Sequence, residues 1–373
     1  MICKYSSDND PVVIVDCDIF TAFGGGIDAA WQPLLEGRHG FSPCKRFHNP
    51  CFENMYGAFA PALEEEKDIP GFFLDYLAPI AKKYPVNTEV FLAATVGEIE
   101  QLNNPLDLCT CDSLLQRTLS VFEKRSGRVI SAACASSNAA IARAERLLRY
   151  HLLDHAIVLA TDYISEFVFS GFSSIHAMSE DPVARPYDKN RNGLLLGDAA
   201  GIVVLTRKST AEKEQLPILA QVSGSGMSSD AVHITAPDPE GNALQSAIRT
   251  ALKHAKRNMA DIGAVIGHGT GTVYNDSMEI HALQSFGVPA IPLVSVKGST
   301  GHTLAGAGLI QLAMALRMLE EKRIPPQTSL ETPEPGGESM LSKEIRPLEN
   351  PCILSMNSGF GGMNSVLLLE GVK

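Results

Sequence analysis

The chain has 373 residues, 45% hydrophobic and 20% charged: enough for one large or two ordinary domains with a real core, and too apolar for a disordered chain. A net charge of −11 argues against a nucleic-acid-binding surface, and any acidic partner would need a local basic patch. The opening MICKYSSDNDPVVIVDC lacks the build of a secretory signal, and no apolar run approaches the roughly 18 residues of a membrane span. With eight scattered cysteines, which favour reduced thiols, these features predict a soluble, cytoplasmic, enzyme-sized protein.

Apolar β-branched runs alternate with helical stretches along the chain. Strands are predicted at 11–20, 89–96, 127–133, 155–162, 199–207, 220–227, 262–269, 291–297, 351–358 and 364–371. Most are too uniformly apolar to alternate, as sheets covered on both faces require. Helices are predicted at 27–36, 71–83, 135–153, 242–258, 276–286 and 303–322. This alternation predicts an α/β protein with parallel or mixed sheets. The polar, lysine-rich TRKSTAEKEQLPIL, 206–219, is the expected seam between two halves of similar element content, 1–210 and 211–373.

The glycine-rich TAFGGGID, 21–28, lacks the GxGxxG spacing and reads as a turn between strand and helix, not a cofactor loop. Cys44, His48 and Cys51, and the pair Cys109 and Cys111, lack the paired spacing of a structural zinc site. They read as loop or core cysteines, and no metal is expected.

Three stretches carry candidate chemistry. In GRVISAACASSNAA, 127–140, Cys134 falls between a strand and a helix of small residues, where free N–H groups and the helix dipole favour a thiolate. The alternative is a buried cysteine without chemistry. In VIGHGTGTVYNDSMEIHAL, 265–283, His268 sits where a tight loop leaves a strand, Thr270 and Thr272 add hydroxyls, and Glu279 on the next helix could orient a cationic group. In SVKGSTGHTLAGAGLIQLAMALRML, 295–319, Lys297 and His302 precede a long helix; singly they read as a solvated lysine and a cap residue. NSGFGGMNS, 357–365, reads as a hairpin displaying Phe360. Together, a nucleophilic thiol, two histidines and a lysine suit acyl transfer with carbanion chemistry. The imidazoles would donate hydrogen bonds to a thioester oxygen as it gains enolate charge.

The ordered set of Cys134, RPYDKNRNGLLLGDAAGIVVL (185–205), GMSSDAVHITAPDPEG (226–241), GHGTGTVYND (267–276), VKGSTGHTLAGAG (296–308) and NSGFGGMN (357–364) resembles the elongating β-ketoacyl-acyl carrier protein synthases. The resemblance covers nearly the whole chain. It implies a thiolase fold, two similar α/β halves in a five-layered αβαβα core, usually dimeric, with the nucleophile in the first half and both catalytic histidines in the second. It implies that Cys134 takes an acyl group from acyl carrier protein, and that malonyl on a second carrier is decarboxylated and attacks it. His268 and His302 would stabilise the enolate, Lys297 would support them, and Glu279 would be a structural partner. The N–H groups of Cys134 and Phe360 would form the oxyanion hole, with Phe360 as gate. Thr270 and Thr272 would line the phosphopantetheine tunnel and Phe172 the acyl pocket, with no cofactor beyond the carrier's own arm.

The chain departs from this pattern at Ser358, where the family commonly has Phe, at Met363, where it has Thr, and in a shortened segment before Cys134. An alternative with the same resemblance is a chain-length-factor-like partner in a ketosynthase heterodimer, though such subunits typically lack the nucleophile. Chain-initiating relatives use Cys-His-Asn, which His302 speaks against, and degradative thiolases use a second cysteine and a different C-terminal loop.

Overall fold

The structure is a computed structural model that describes residues 10–49, 52, 55–98 and 111–372. Apart from a two-residue arm, Gly24–Gly25, that folds back on the first strand, ten strands form the main sheet. They are β1 (Val12–Thr21), β2 (Glu89–Ala93), β3 (Gly127–Ile130), β4 (His155–Asp162), β5 (Ala199–Arg207), β6 (Ala220–Ser229), β7 (Ala264–Ile266), β8 (Leu293–Val294), β9 (Cys352–Gly359) and β10 (Met363–Glu370). All ten lie within or beside the predicted runs. The order across the sheet is β8-β7-β9-β10-β6-β1-β5-β4-β2-β3.

The contact between β1 and β6 is short, Val12–Ile14 against Ala220–Val222. On either side of it the layout is the same. In the first half β1 pairs antiparallel with β5, β5 antiparallel with β4, and β4 and β3 each pair parallel with β2. In the second half β6, β10, β9, β7 and β8 repeat these pairings in the same order and sense. The duplication is one of topology, which explains why no residue-level repeat is visible.

The helices are α1 (Ile27–Leu35), α2 (Ile69–Ala81), α3 (Cys111–Phe122), α4 (Ser136–Arg149), α5 (Glu166–Ser174), α6 (Lys208–Glu214), α7 (Asn242–Ala255), α8 (Val273–Gln284), α9 (Lys297–Thr300) and α10 (Ala307–Glu321). Strand residues alternate between two cores. On β5, Val203 and Leu205 join the central cluster with Ile141 of α4 and Leu309 and Leu312 of α10, while Ile202 and Val204 join Phe73, Leu77 and Leu115 of α2 and α3. In the second half, Leu367 and Leu369 face the central cluster, and Val366 and Leu368 face Ile248 of α7 and Ile280 of α8. The result is the expected five layers: outer helices, half-sheet, α4 with α10, half-sheet, outer helices. Each such fully buried aliphatic side chain contributes about 1.5–3 kcal/mol relative to exposure.

The two central helices meet closely. A Cβ at Gly308 would lie 2.3 Å from Asn138 Oδ1, so only glycine lets α10 sit this near α4.

The polar run at the expected seam winds into α6, with Ala211 buried. The helices α3, α5, α6 and α9 were not predicted. Cys51 and Cys109 lie outside the described residues, as does much of the shortened segment before Cys134. Among the described residues no helix is long and apolar enough to cross a membrane.

Candidate active site

Three loops bring the chemistry together. The first follows β3. Ser136 at the start of α4 accepts the Ala132 N–H (2.8 Å) and donates to the Ala133 carbonyl (2.6 Å), and Ala133 takes a left-handed φ of 48°. This tight turn delivers Cys134 to the helix terminus, buried at 6% exposure.

The second loop follows β7, which stops at Ile266 and leaves His268 free of the sheet. Two buried carboxylates of α8 hold it. Glu279 accepts the N–H groups of His268 (2.6 Å) and Gly269 (2.7 Å) and the Tyr187 hydroxyl (2.8 Å). Asp276 accepts those of Thr270 (2.9 Å), Gly271 (3.0 Å) and Tyr187 (2.8 Å). The carboxylate of Glu279 therefore braces backbone amides. Its charge also reaches Lys297, whose ammonium it favours against the burial that disfavours it.

The third loop follows β8 and carries Lys297 and His302. The His302 Nδ1 accepts the N–H of Leu304 (3.0 Å), which fixes the proton on Nε2. Leu304 sits at φ 50°, and its neighbour Ala305 donates its N–H to Asp162 (2.7 Å) while its carbonyl accepts from Ser137 Oγ. Asp162, absent from the sequence-based site, thus holds the turn that orients His302. Lys297, 2% exposed, places Nζ 3.2 Å from His268 Nδ1 and donates to the His268 carbonyl.

His268 Nδ1 has a second partner, Asn357 Oδ1, at 3.2 Å. Gln311 sets that amide: its Nε2 donates to the Gly267 and Met356 carbonyls, so its Oε1 receives Asn357 Nδ2. A charged Lys297 makes Nδ1 an acceptor and leaves the His268 proton on Nε2; a neutral one lets Nδ1–H turn to Asn357. Both imidazoles can therefore present an N–H donor, and their rings meet edge to face at 5.4 Å.

The turn between β9 and β10 closes over the thiol. A Cβ at Gly359 would sit 2.9 Å from the Ala132 carbonyl and 3.2 Å from the Cys134 nitrogen, and Gly361 and Gly362 follow at φ 85° and 79°. The approach brings the Phe360 backbone beside Cys134, where the Cys134 and Phe360 N–H groups both favour negative charge on the sulfur. At the departures from the expected loop, Ser358 Oγ donates to Asn364 (2.7 Å), and Met363 pairs with Gly359 across the strands.

Two cavities converge on the sulfur. One, of about 360 Å³, is walled by His268, His302, Thr270 and Thr272, whose hydroxyls meet at 2.8 Å. The other, of about 390 Å³, is walled by Val96, Phe167, Val168 and Leu304. Cys134, Phe172 and Phe360 border both, with the two phenyl rings 5.8 Å apart.

Burial governs the electrostatics. It pushes the Cys134 thiol up to about 12, against the opposing effects of Lys297 and the two N–H groups and with the help of Asp162. Desolvation thus raises the thiol more than Lys297 and the two N–H groups lower it. Burial lowers Lys297 to about 8 and His302 to about 3, and pushes His268 well below the usual histidine range. It also raises Glu279 and Asp162 to about 7.

A thiol under paired amide donors, facing two imidazoles at the junction of a cavity that carries histidine and threonine donors and a second, apolar one, is equipped for acyl transfer through a thioester. Fold and site define a thiolase-fold acyltransferase. The chain belongs to the β-ketoacyl synthase family: the family's N-terminal domain matches residues 127–211 and its C-terminal domain residues 219–331. It is 28% identical to 3-oxoacyl-(acyl-carrier-protein) synthase 2 of Coxiella burnetii, over 97% of this chain and 98% of that one. It is 34% identical to the tetracenomycin polyketide synthase ketoacyl synthase alpha subunit of Streptomyces glaucescens, over 66% of this chain and 60% of that one. In fold it matches the solved ishigamide ketosynthase/chain length factor with a TM-score of 0.87 at 24% identity, covering 98% of this chain and 100% of that one.

Proposed function

We propose that the protein catalyses decarboxylative Claisen condensation of an acyl-enzyme thioester with malonyl-acyl carrier protein, giving 3-oxoacyl-acyl carrier protein in fatty-acid or polyketide-type synthesis. The observation that carries this reading is the position of Cys134 Sγ, beneath the N–H groups of Cys134 and Phe360 and open to both cavities. The acyl group arrives on a phosphopantetheine arm past Thr270 and Thr272 and extends toward Phe172 and the apolar cavity, with Phe360 as the gate between them. The acyl carbon's bond to the carrier sulfur breaks as its bond to Cys134 Sγ forms, and the thiol proton leaves with the departing pantetheine sulfur. No resting thiolate is required.

Malonyl then loses CO2, and the electron pair of the broken C–C bond enters an enolate that accepts hydrogen bonds from His268 and His302 Nε2. Lys297 supports this by holding His268, and Glu279 by holding its backbone. The enolate carbon attacks the acyl carbon while the Cys134 and Phe360 amides take the oxyanion. Sγ departs as a thiolate and is reprotonated from solvent. The side chains and backbone of this chain supply every step, and the substrates bring the phosphopantetheine.

We place the division of the halves at residues 210 and 211, with Cys134 in the first and both histidines in the second. The working unit is a homodimer or a heterodimer with a related ketosynthase subunit. A chain-length-factor-like subunit is the second reading, favoured by the changes at Ser358 and Met363 and by the shortened segment before Cys134. The test is to incubate the wild-type and Cys134→Ala proteins with acyl- and malonyl-carriers and follow intact mass and product. Loading confined to the wild type, with condensation by the isolated chain, is expected. Full loading of the variant would sink the nucleophile assignment, and loading without condensation would favour the subunit reading.

A further inference from the structure

The apolar cavity holds one polar group that the protein itself leaves unsatisfied. Thr95 borders it, and among the described residues its Oγ1 is shielded from solvent and meets no hydrogen-bond partner. The remaining described wall residues carry hydrocarbon side chains or none, apart from Cys134 and from Ser131, an exposed residue whose hydroxyl can turn to water. Burying a hydroxyl without a partner is unfavourable, and an alkyl chain threaded past Thr95 would leave it so. A chain bearing an oxygen at that point would satisfy it.

The strand pairing fixes where along the chain that oxygen would lie. β2 and β3 run parallel with Ala93 opposite Ile130, and the Ala94 N–H donates to the Ile130 carbonyl (3.2 Å). Thr95 comes next on the side of β2, and Ser131 to Cys134 come next on the side of β3, from paired strands about 4.8 Å apart. Thr95 therefore stands beside the turn that delivers Cys134, at the thioester end of the cavity. Val96, Phe167, Val168 and Leu304 continue the wall in hydrocarbon.

We propose that Thr95 selects acyl chains that keep an oxygen close to the thioester, a 3-hydroxy or 3-oxo group, with hydrocarbon beyond it. This substrate class rests on the condensing activity proposed above. It separates a chain extended before its last unit is fully reduced from a saturated fatty-acyl chain. The threonine hydroxyl donates to a carbonyl or hydroxyl oxygen and accepts from a hydroxyl, so both oxidation levels suit it. A site that hydrogen-bonds a substrate oxygen disfavours the analogue lacking it, because its own polar group is then left unpaired.

The experiment offers the full-length protein equal amounts of hexanoyl-carrier and 3-hydroxyhexanoyl-carrier, each epimer in turn, and reads the two acyl-enzymes at Cys134 by intact mass at early times. Expected for the wild type is loading of the better hydroxylated epimer over the saturated chain by at least about threefold, within the usual net effect of one hydrogen bond. In Thr95→Val, which puts a methyl in place of the hydroxyl, and in Thr95→Ala, the ratio should fall to about one. Thr95→Ser, which keeps the hydroxyl, should retain the preference. A smaller wild-type ratio for both epimers overturns the proposal. So does a preference that persists in Thr95→Val or Thr95→Ala, or one that disappears in Thr95→Ser. Wild-type protein that loads neither chain would instead overturn the acyl-enzyme step of the condensing activity itself.

Discussion

The two halves share a strand order yet contribute unlike chemistry from matching places. The loop after β3 runs into the central helix α4 and carries Cys134, and the loop after β8 runs into the central helix α10 and carries His302. The loop after β2 supplies Val96 to the apolar cavity, while the matching loop after β7 supplies His268 to the polar one. Between β4 and β5 the chain makes a long excursion through α5 that places Phe172, whereas β9 and β10 are joined by the tight turn of Phe360. A repeated scaffold thus brings a nucleophile with an apolar wall from one side and hydrogen-bond donors from the other, and neither half holds a complete site.

The sharpest break of this division sets Cys134→Ala against His302→Ala. The first should abolish acyl loading. The second should leave loading intact and lower malonyl decarboxylation by about 10²–10⁴-fold, read as CO2 release. Next is Gly359→Ala, whose Cβ meets the Ala132 carbonyl and lifts the Phe360 amide from the sulfur. It should cost about 10²-fold in kcat with circular dichroism unchanged, the usual loss for one oxyanion donor.

A smaller effect concerns Lys297, which burial lowers to about 8. The ammonium that makes His268 Nδ1 an acceptor dominates below that pH and is lost above it. The condensation rate should therefore fall as pH rises through about 8, and Lys297→Arg should move that limb upward. A limb unmoved in the variant would assign it to another group. Smallest for activity is Gly308→Ala, which pushes α10 from α4. Overpacking should cost about 1–3 kcal/mol and outweigh the roughly 1 kcal/mol that alanine gains in a helix, measured by urea unfolding.

Most strands were legible because they are short apolar runs, which buried sheets demand; β6, AQVSGSGMSS, is the polar exception. Among the missed helices, α5 and α6 bury too few residues to show a periodic apolar face, whereas α3 does carry one in Leu114, Leu115 and Phe122. In α5 only Val168 and Phe169 enter the core, while Phe167 borders the apolar cavity, half exposed; α6 buries only Ala211. The sequence pointed to the reactive side chains because their loops are rich in glycine and small residues. It did not point to Asp162 or Asn357, whose partners come from distant segments of chain. Gln311 did leave a trace, a single amide in the apolar stretch LIQLAMAL, fully buried.

The resting state of Cys134 bears on how long the protein survives between turnovers. Peroxide and alkylating agents attack thiolates, and a cysteine held as a thiol at about 12 offers almost none at neutral pH. The burial that raises the thiol should therefore slow its alkylation in the empty site, read as the pH dependence of iodoacetamide labelling at Cys134 by intact mass.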